Sequence, residues 1–396
     1  MINDALEFLA KKWGNVVLYD SDGNPSYYVP FNKCMSSELD SNLPAHVHPA
    51  FIVGDKILDR VLIGKYKASG GTVLYSIPGK DPANNLSYDT FLTRLKNFKS
   101  GASGITIADL GLFLLTAKKM GWQPKGNNNY GADYQDGTRW QSGQSIAVNN
   151  ERVYRGWLYK ALIAHTSSDA LAPENNPAYW LKEKQVGGAM SAATGAGSRT
   201  LTGSGPLDWC LGKDPGNLVD PQGNVLEQVY GFRTYGGELQ ILPNNDAADP
   251  TKDLSASSAE WKAILPGASE ADYTLVAPGT AGTLHINWDG SKVVLDTSTD
   301  LTAWGSSYRS IAFSSLTASA NISHIPCIVR ELGLFPCTGD NVTKGTMLFD
   351  ANGERVPRRS GPSYSSSSAG LGFLYCLYDR SVADAYYGAR GRFLES

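Results

Sequence analysis

Two short stretches of the sequence carry residue types that bind metal ions. In His46-Val-His48 two imidazoles fall on one face of an extended segment. Asp20-Ser-Asp22-Gly-Asn24 has the spacing that opens a calcium-binding loop. A metal site needs further ligands, and neither stretch is followed by residues that would supply them. We therefore predict no metal and no cofactor, and we interpret the aspartates as a β-turn.

Motifs for nucleophilic or phosphate chemistry are missing from the sequence. No CxxC pair, GxSxG nucleophile elbow or GxxxxGK[ST] loop occurs. Gly195-x-Gly197 lacks the third glycine of a dinucleotide-binding loop. Cys327 and Cys337 lie ten residues apart and could pair in an oxidising compartment, but we expect all five cysteines to be reduced thiols. The sequence therefore predicts that the protein is not an enzyme.

A tract rich in tyrosine and serine, at residues 360–390, indicates a different chemistry. It contains five tyrosines and seven serines, and the four serines at 365–368 are consecutive. Tyrosine offers a large amphipathic contact area with few rotatable bonds, and serine offers adaptable hydrogen bonds, so this composition is typical of a binding surface. Apolar residues such as Leu371 and Phe373 are interleaved, which favours an ordered segment. The alternative is that these are core or turn residues of a β-rich end.

The overall composition limits the class of protein and of partner. Apolar residues make up 42% of the 396-residue chain, charged residues make up 18%, and the net charge is −3. This is the balance of a globular protein, and it gives no indication of nucleic acid or an anionic membrane as the main partner. No stretch reaches the roughly 18 apolar residues of a membrane-spanning helix.

The elements that must position the tract are a few helices and many short strands. Helices are predicted at 3–13, 87–98, 107–122 and 151–165, and hairpins are predicted around residues 16–31 and at Asp289-Gly290. Residues 251–320 are rich in Ser, Thr, Ala and Asp, and we interpret them as a β-rich insertion. Because strands and helices do not alternate regularly, the pattern predicts an α+β fold.

A turn that runs into a strand, Asp220-Pro-Gln-Gly-Asn-Val-Leu-Glu227, is the most specific motif of the chain. Four further matches follow near the C-terminus: Arg359-Ser-Gly361, Ala369-Gly-Leu371, Arg380-Ser381 and Gly388-Ala-Arg390. This combination resembles C-type lectin-like folds of the formylglycine-generating-enzyme type. Gly-Ala-Arg stands where that family usually has Gly-Phe-Arg, and Gln228 stands where it usually has Trp, so the resemblance is to a divergent member.

The start of the chain extends the resemblance. His48-Pro-Ala-Phe51 and Ile63-Gly-Lys-Tyr66 look like the opening of phage members of the family. The resemblance implies a C-type lectin-like domain formed by residues 1–250 and 321–396, with 251–320 as an unmatched insertion.

Within this family, the C-terminal tract resembles the variable region of proteins diversified by diversity-generating retroelements, phage tropism determinants among them. In those proteins an error-prone reverse transcriptase rewrites adenine-containing codons. The resemblance implies a variable region at about 360–390, with ligand-binding residues at positions whose types fit such codons. These are Ser363, Tyr364, Ser365, Ser366, Ser367, Tyr375, Leu377, Tyr378, Asp379, Asp384, Tyr386 and Tyr387.

The function implied by this resemblance is receptor binding at a phage tail-fibre tip, in the virion. The expected partner is a protein or glycan of the host-cell surface, together with other phage tail proteins, and the expected oligomeric state is a monomer or a trimer. We expect no nucleic-acid partner and no membrane insertion. The N-terminus lacks the pattern of a signal peptide, which favours synthesis in the bacterial cytoplasm.

Two alternatives to receptor binding stay open. One is a phage tail structural protein whose C-terminal tract is fixed. The other is an oxidoreductase of the formylglycine-generating type, which needs paired cysteines in the C-terminal segment, where this sequence has Cys376 alone.

Overall fold

The fold combines short helices with many β-strands. The computed structural model describes residues 2–191 and 198–395, and within them the predicted α+β class is confirmed. The lectin-like assignment and the division at 251–320 stay predictions. None of the helices in these two ranges is long and apolar enough to cross a membrane.

Six α-helices are formed by the described residues. They are α1 (Ile2–Lys12), α2 (Ser36–Leu39), α3 (Tyr88–Lys96), α4 (Ile107–Met120), α5 (Leu301–Trp304) and α6 (Cys327–Glu331). The Ser87 hydroxyl accepts the Thr90 N–H and caps the start of α3, within the range predicted for this helix. Thr106 caps α4 in a capping box with Asp109, and Gly121 ends that helix at a φ of +64°.

The strands of the first half of the chain are short, and most form antiparallel pairs. They are β1 (Val16–Tyr19), β2 (Pro25–Asn32), β3 (Ile52–Val53), β4 (Lys56–Ile57), β5 (Arg60–Gly64), β6 (Ser69–Gly70), β7 (Leu74–Tyr75), β8 (Ala102–Gly104), β9 (Ser145–Ile146), β10 (Glu151–Tyr154), β11 (Trp157–Ala161), β12 (His165–Thr166) and β13 (Trp180–Gln185).

The strands of the second half include the parallel pairs of the fold. They are β14 (Leu226–Gln228), β15 (Phe232–Tyr235), β16 (Glu238–Ile241), β17 (Lys262–Pro266), β18 (Tyr273–Val276), β19 (His285–Trp288), β20 (Val293–Asp296), β21 (Arg309–Ala312), β22 (Thr317–Ala318), β23 (Thr346–Phe349), β24 (Glu354–Arg355), β25 (Arg358–Arg359), β26 (Leu374–Cys376), β27 (Tyr387–Gly388) and β28 (Gly391–Phe393).

Three larger sheets bring the two halves together. One has the strand order β1-β2-β5-β28-β8, so the last strand of the chain pairs with strands of the first 104 residues. A second has the order β21-β23-β26-β25-β14-β27 and contains the strands of the C-terminal tract. A third contains β18-β17-β16-β19-β20-β22, to which β15 and β24 add.

Helix α4 lies in the middle of the main apolar core. Every residue from 107 to 115 is buried, and Leu112 and Phe113 join the cluster that also contains apolar residues of β5, β16 and β20. A Cβ at Gly111 would lie 1.7 Å from the carbonyl oxygen of Glu331, so glycine is required where α6 crosses α4. Residues buried on all sides of a helix in this way indicate that the helix is a structural centre rather than a surface element.

The predicted helix at 151–165 is wrong. These residues form the hairpin of β10 and β11, in which Tyr154 pairs with Trp157. Arg155 and Gly156 form the two-residue turn, with φ of +48° and +83°, which is the geometry of a type I′ hairpin. The hairpin buries Tyr159 and Ala161 against Trp180 of β13, and this tertiary contact outweighs the local helix propensity.

The strands of residues 251–320 are shared with the rest of the chain. β17 and β19 both pair with β16, which lies outside this segment, and β21 pairs with β23. The hairpin predicted at Asp289-Gly290 is confirmed as β19 and β20.

Candidate functional site

The C-terminal tract is held by strands from three parts of the sequence. β26 lies between β23 and β25, and β25 pairs in turn with β14. β27 forms one edge of this sheet and pairs in parallel with β14, with Leu226 beside Tyr387 and Glu227 beside Gly388. The motif at 220–227 and the end of the tract are therefore joined directly by backbone hydrogen bonds.

A buried ion cluster lies behind this sheet, centred on Glu227. Its Oε1 accepts hydrogen bonds from Lys67 Nζ at 3.0 Å and from Arg390 Nε at 2.8 Å, and Arg359 Nε lies 3.7 Å from its Oε2. All four side chains are fully buried. Arg390 also donates to backbone carbonyls of Gly64, Lys65, Val219 and Asp220. The Glu227 carboxylate interacts with all three cations, and Arg390 also binds these four carbonyls. The cluster therefore fixes the relative positions of strands that are distant in sequence.

The charge state of Glu227 follows from this cluster. Burial raises the pKa of its carboxyl, but the positive charges of Arg390, Lys67 and Arg359 outweigh burial and lower the pKa to about 2. Glu227 is therefore ionised at neutral pH, and the cluster needs that negative charge to compensate its cations.

Gly388 allows β27 to approach the sheet closely. A Cβ at this position would lie 2.4 Å from Cγ2 of Val225, which is far inside the contact distance of two carbon atoms. The glycine of the Gly-Ala-Arg triplet is therefore required by packing.

In front of the sheet lies a concave site, which we call the tyrosine pocket. It has a volume of about 530 Å³, in the range of small-ligand sites. Its walls include Tyr364, Tyr375, Tyr378 and Tyr387, with Asp384 at one side. Further lining comes from Leu226, Thr346, Leu348, Pro362, Ser365, Ser368, Phe373 and Val382. Asp384 is the one charged residue among these described lining residues.

The tyrosine rings of the pocket support one another. The ring of Tyr375 is stacked on Phe373, with an interplanar angle of 10°, and its centroid lies 5.9 Å from that of Tyr378. The ring of Tyr364 meets that of Tyr386 edge to face at 4.6 Å. Such ring pairs restrict side-chain motion, so the pocket walls are largely formed before a ligand binds.

The predicted binding residues differ in how far they reach the surface. Tyr364 and Tyr378 are 46% and 44% exposed. Ser366, Ser367 and Asp379 are exposed too, whereas Ser365, Tyr375, Leu377, Asp384 and Tyr386 are half-buried. Exposure at these positions is compatible with contact to a ligand.

The surface position predicted for Ser363 is wrong. Its side chain is fully buried, and its hydroxyl pairs with that of Ser198 at 2.7 Å. Its backbone accepts from Tyr130 N–H and donates to Asn224. Ser363 is therefore a structural residue that ties the tract to three other segments, at Tyr130, Ser198 and Asn224.

The surface position predicted for Tyr387 is wrong as well. Its side chain is 4% exposed, and one face of its ring lies 4.1 Å from the guanidinium carbon of Arg358, which is itself fully buried. Tyr387 forms the inner wall of the tyrosine pocket, because strand β27 places it in the apolar cluster around Tyr88 and Tyr230.

Two aspartates predicted to bind the ligand, Asp379 and Asp384, accept hydrogen bonds from neighbouring residues, which restrict the conformations of their side chains. Oδ1 of Asp379 accepts from the N–H and the hydroxyl of Ser381, which is an Asx turn. Oδ1 of Asp384 accepts from Tyr386 N–H. Both carboxylates retain an oxygen that could accept a hydrogen bond from a ligand.

Sequence reasoning missed a second set of residues beside the pocket, on the loop at 126–139. Tyr130, Tyr134 and Arg139 line a cleft of about 640 Å³ that also includes Tyr364 and Ser366. The sequence signal was the pair of tyrosines in an otherwise polar and glycine-rich stretch.

The other residues considered for chemistry have structural contacts. His46 Nε2 lies 2.6 Å from Oε1 of Glu331, and buried His48 contacts the carbonyl oxygen of the same residue. Oδ1 of Asp20 accepts the N–H groups of Asp22 and Asn24 in a turn. In residues 2–191 and 198–395 no group of three or more His, Cys, Asp or Glu residues could hold a metal ion.

The five cysteines are free thiols. Cys376 is fully buried under the tract, and burial raises the pKa of its thiol far above the ordinary value. Gly195 and Gly197 lie outside the described residues.

The sequence matches no protein-family model, and it matches no curated protein.

Proposed function

We propose that this protein binds a ligand in the tyrosine pocket and acts as the receptor-binding protein of a phage tail fibre, recognising a molecule of the host-cell surface. The observation that carries this proposal is the pocket itself. Four of the five tyrosines of the 360–390 tract line one cavity of about 530 Å³. Tyrosines are the residues that give binding surfaces much of their affinity, because they bury large areas at low entropic cost.

The exposure of Tyr364 and Tyr378 supports the same proposal. Burying the ring of an aromatic residue is favourable, so two neighbouring tyrosines left near half exposed represent unused contact area. A ligand in the pocket would cover both rings. Display of several copies on one particle would strengthen weak binding at each pocket.

The lectin-like assignment, and the diversification that goes with it, belong to this proposal. Its support is that the separate parts of the motif meet in space. Glu227, from the first part, is bound by Arg390 and lies beside Arg359, from the later parts. A framework that depends on these buried residues leaves the residues of the pocket rim free to vary.

The alternatives have less support. An oxidoreductase of the formylglycine-generating type needs a reactive thiol pair, whereas burial raises the pKa of the Cys376 thiol and removes it from solvent. A tail structural protein with a fixed tract would need a partner that covers Tyr364 and Tyr378.

The binding proposal is tested by adsorption of particles to the host bacterium. We expect Tyr364→Ala with Tyr378→Ala to lower the adsorption rate at least tenfold while the melting temperature stays within a few degrees. Tyr308→Ala is the matched control, because Tyr308 is 59% exposed and lies outside the pocket. Equal adsorption of the double variant and the control would contradict a binding role of the pocket.

The diversification proposal has a separate test in the DNA that flanks the gene. We expect a near-copy of the codons for 360–390, differing at adenines, beside a reverse-transcriptase gene. Absence of both would contradict diversification and leave ligand binding to be decided by adsorption.

A further inference from the structure

We infer that the loop at 126–139 forms a second subsite, continuous with the tyrosine pocket, and that the ligand is an acidic glycan whose carboxylate binds Arg139. This inference rests on the proposed function and specifies the ligand class. The second subsite is the cleft of about 640 Å³ described above, which we call the arginine cleft.

The two sites share a wall. Tyr364 lines both the tyrosine pocket and the arginine cleft, and its neighbours Ser365 and Ser366 line one site each. A ligand that passes over Tyr364 therefore contacts both sites without a gap. This geometry fits a chain of several linked units better than one small molecule.

The loop is fixed to the tract by direct hydrogen bonds. Tyr130 N–H donates to the carbonyl of Ser363, and Ser366 N–H donates to the carbonyl of Asn128, each at 2.8 Å. The loop is also braced internally, because Asp133 accepts from the Asn128 amide and from the N–H of Gly126. The subsite is thus preorganised, which lowers the entropic cost of binding.

Arg139 is the charged residue of the arginine cleft. Its guanidinium carbon lies 3.4 Å from the ring centroid of Tyr130, so the ring orients it. Its carbonyl oxygen accepts from the Gln144 amide, while among the described residues its side chain forms no ion pair and donates no hydrogen bond, and its contact is the stacking on Tyr130. No Asp or Glu is among the described residues that line the cleft. A planar guanidinium with unused donors binds a carboxylate in a bidentate manner.

The rest of the lining favours a sugar over a protein surface. Beside Arg139 the cleft presents Asn129, Gln135, Thr138, Gln141 and Gln144. The core of a protein interface is apolar and excludes water, whereas a sugar carries hydroxyl groups around its ring and needs many donors and acceptors close together. Amide side chains supply both in one group.

The test uses an array of immobilised oligosaccharides that includes neutral glycans and glycans with uronic or sialic acid carboxylates. The strongest acidic binder is then titrated by calorimetry, both as such and after reduction of its carboxyl to an alcohol. We expect Arg139→Gln to weaken binding of the acidic form about tenfold or more, in line with a lost charge-assisted hydrogen-bond pair. Binding of the reduced form is expected to be equal in wild type and variant, and Arg139→Lys is expected to be intermediate.

Lys182→Gln is the matched control, since it removes one positive charge that, like Arg139, lies over an aromatic ring: Lys182 of β13 stacks on Trp157 and lines neither site. It should bind both glycans as wild type does. An array on which no acidic glycan binds, or an Arg139→Gln protein that binds the acidic form with wild-type affinity, would overturn the inference. If either result is obtained but the Tyr364→Ala, Tyr378→Ala variant still adsorbs more slowly, the proposed function stands and only the glycan inference fails. If that double variant adsorbs like wild type, the proposed function and the glycan inference both fail.

Discussion

Two sets of residues make up much of residues 358–390, and their environments are opposite. The anchored set is buried: Arg358, Arg359, Ser363, Tyr387, Gly388 and Arg390. The exposed set reaches solvent: Tyr364, Ser366, Ser367, Tyr378 and Asp379. The anchored set forms hydrogen bonds and ion pairs with distant segments such as residues 64–65 and 219–227, whereas the exposed set makes fewer such contacts, among them the backbone hydrogen bond from Ser366 to Asn128.

One segment can hold the fold and still present side chains to solvent. On β26 the buried Leu374 and Cys376 flank the half-buried Tyr375, because successive side chains of a strand point to opposite faces. Substitutions on the outer face therefore leave the inner contacts intact. The free energy of unfolding should therefore depend strongly on the anchored set and only weakly on the exposed set.

The largest effect on stability is expected from the ion cluster. Arg390→Met removes one cation of the cluster and leaves four carbonyls and the Glu227 carboxylate without the hydrogen bonds it donates. We expect the free energy of unfolding to fall by about 3–5 kcal/mol, as for other broken buried pairs, measured by urea denaturation.

The control for this variant is Arg60→Met, which removes the surface ion pair with Glu395, where the Arg60 side chain is 44% exposed. Exposed pairs contribute about 0–1 kcal/mol. Equal effects of the two variants would show that the buried cluster does not hold the fold.

Two tyrosines of the same pocket are expected to differ in their contribution to stability. Tyr387→Ala leaves a cavity beside Arg358 and should lower the free energy of unfolding by about 3 kcal/mol. Tyr378→Ala, at a residue 44% exposed, should lower it by less than about 1 kcal/mol. Thermal and urea denaturation of both variants measure the difference, and similar losses would erase the distinction between the two sets at this pocket.

Acidification should lower the free energy of unfolding through Glu227, whose carboxylate interacts with Arg359 and Arg390 of the anchored set. Despite its burial, the cations of the cluster lower the pKa of Glu227 from its ordinary value of 4.5 to about 2 in the folded protein, so the unfolded chain binds more protons between these values. Stability from this group is therefore complete above pH 4.5 and is lost as the pH falls toward 2, by roughly 3 kcal/mol in all. Denaturation at a series of pH values checks this, with Glu227→Gln for comparison. The variant should lie below wild type at pH 7 and approach it toward pH 2; a constant difference at every pH contradicts the assignment.

The smallest effects are expected from the serines. Ser363→Ala removes the hydrogen bond between the hydroxyls of Ser363 and Ser198 at a buried site and should lower the free energy of unfolding by about 1 kcal/mol. Ser367→Ala, at an exposed position, should stay within about 0.5 kcal/mol of wild type. Chemical denaturation of the two alanine variants gives both numbers, and a larger loss for Ser367→Ala would contradict its place in the exposed set.

Elements whose ends are marked by capping or turn residues could be predicted from the sequence. The cap at Ser87, the hairpin of β1 and β2 and the glycine-ended helix α4 could be predicted, because capping and turn residues act over a few positions. The hairpin at 151–161 could not, since what decides it is packing against Trp180, which is distant in sequence.

The binding surface was predictable in composition but not in orientation. Tyr364, Tyr386 and Tyr387 look alike in the sequence, yet Tyr387 is placed inward by its pairing with Leu226. The involvement of Tyr130 and Arg139 depends on hydrogen bonds between the loop at 126–139 and residues 363–366. A contact across more than 200 residues leaves no periodic signal in one sequence.

The separation of the two sets is tested most directly by a mutational scan of residues 358–390. Each position is replaced by all other amino acids, and the folded fraction is measured by display on yeast with a protease challenge. Our account predicts that positions 364, 366, 367, 378 and 379 accept most substitutions, whereas 358, 359, 387, 388 and 390 accept few. Equal tolerance along the tract, or intolerance at Tyr364 and Tyr378, would contradict the claim that the anchored set holds the fold and that the exposed set is not needed for it.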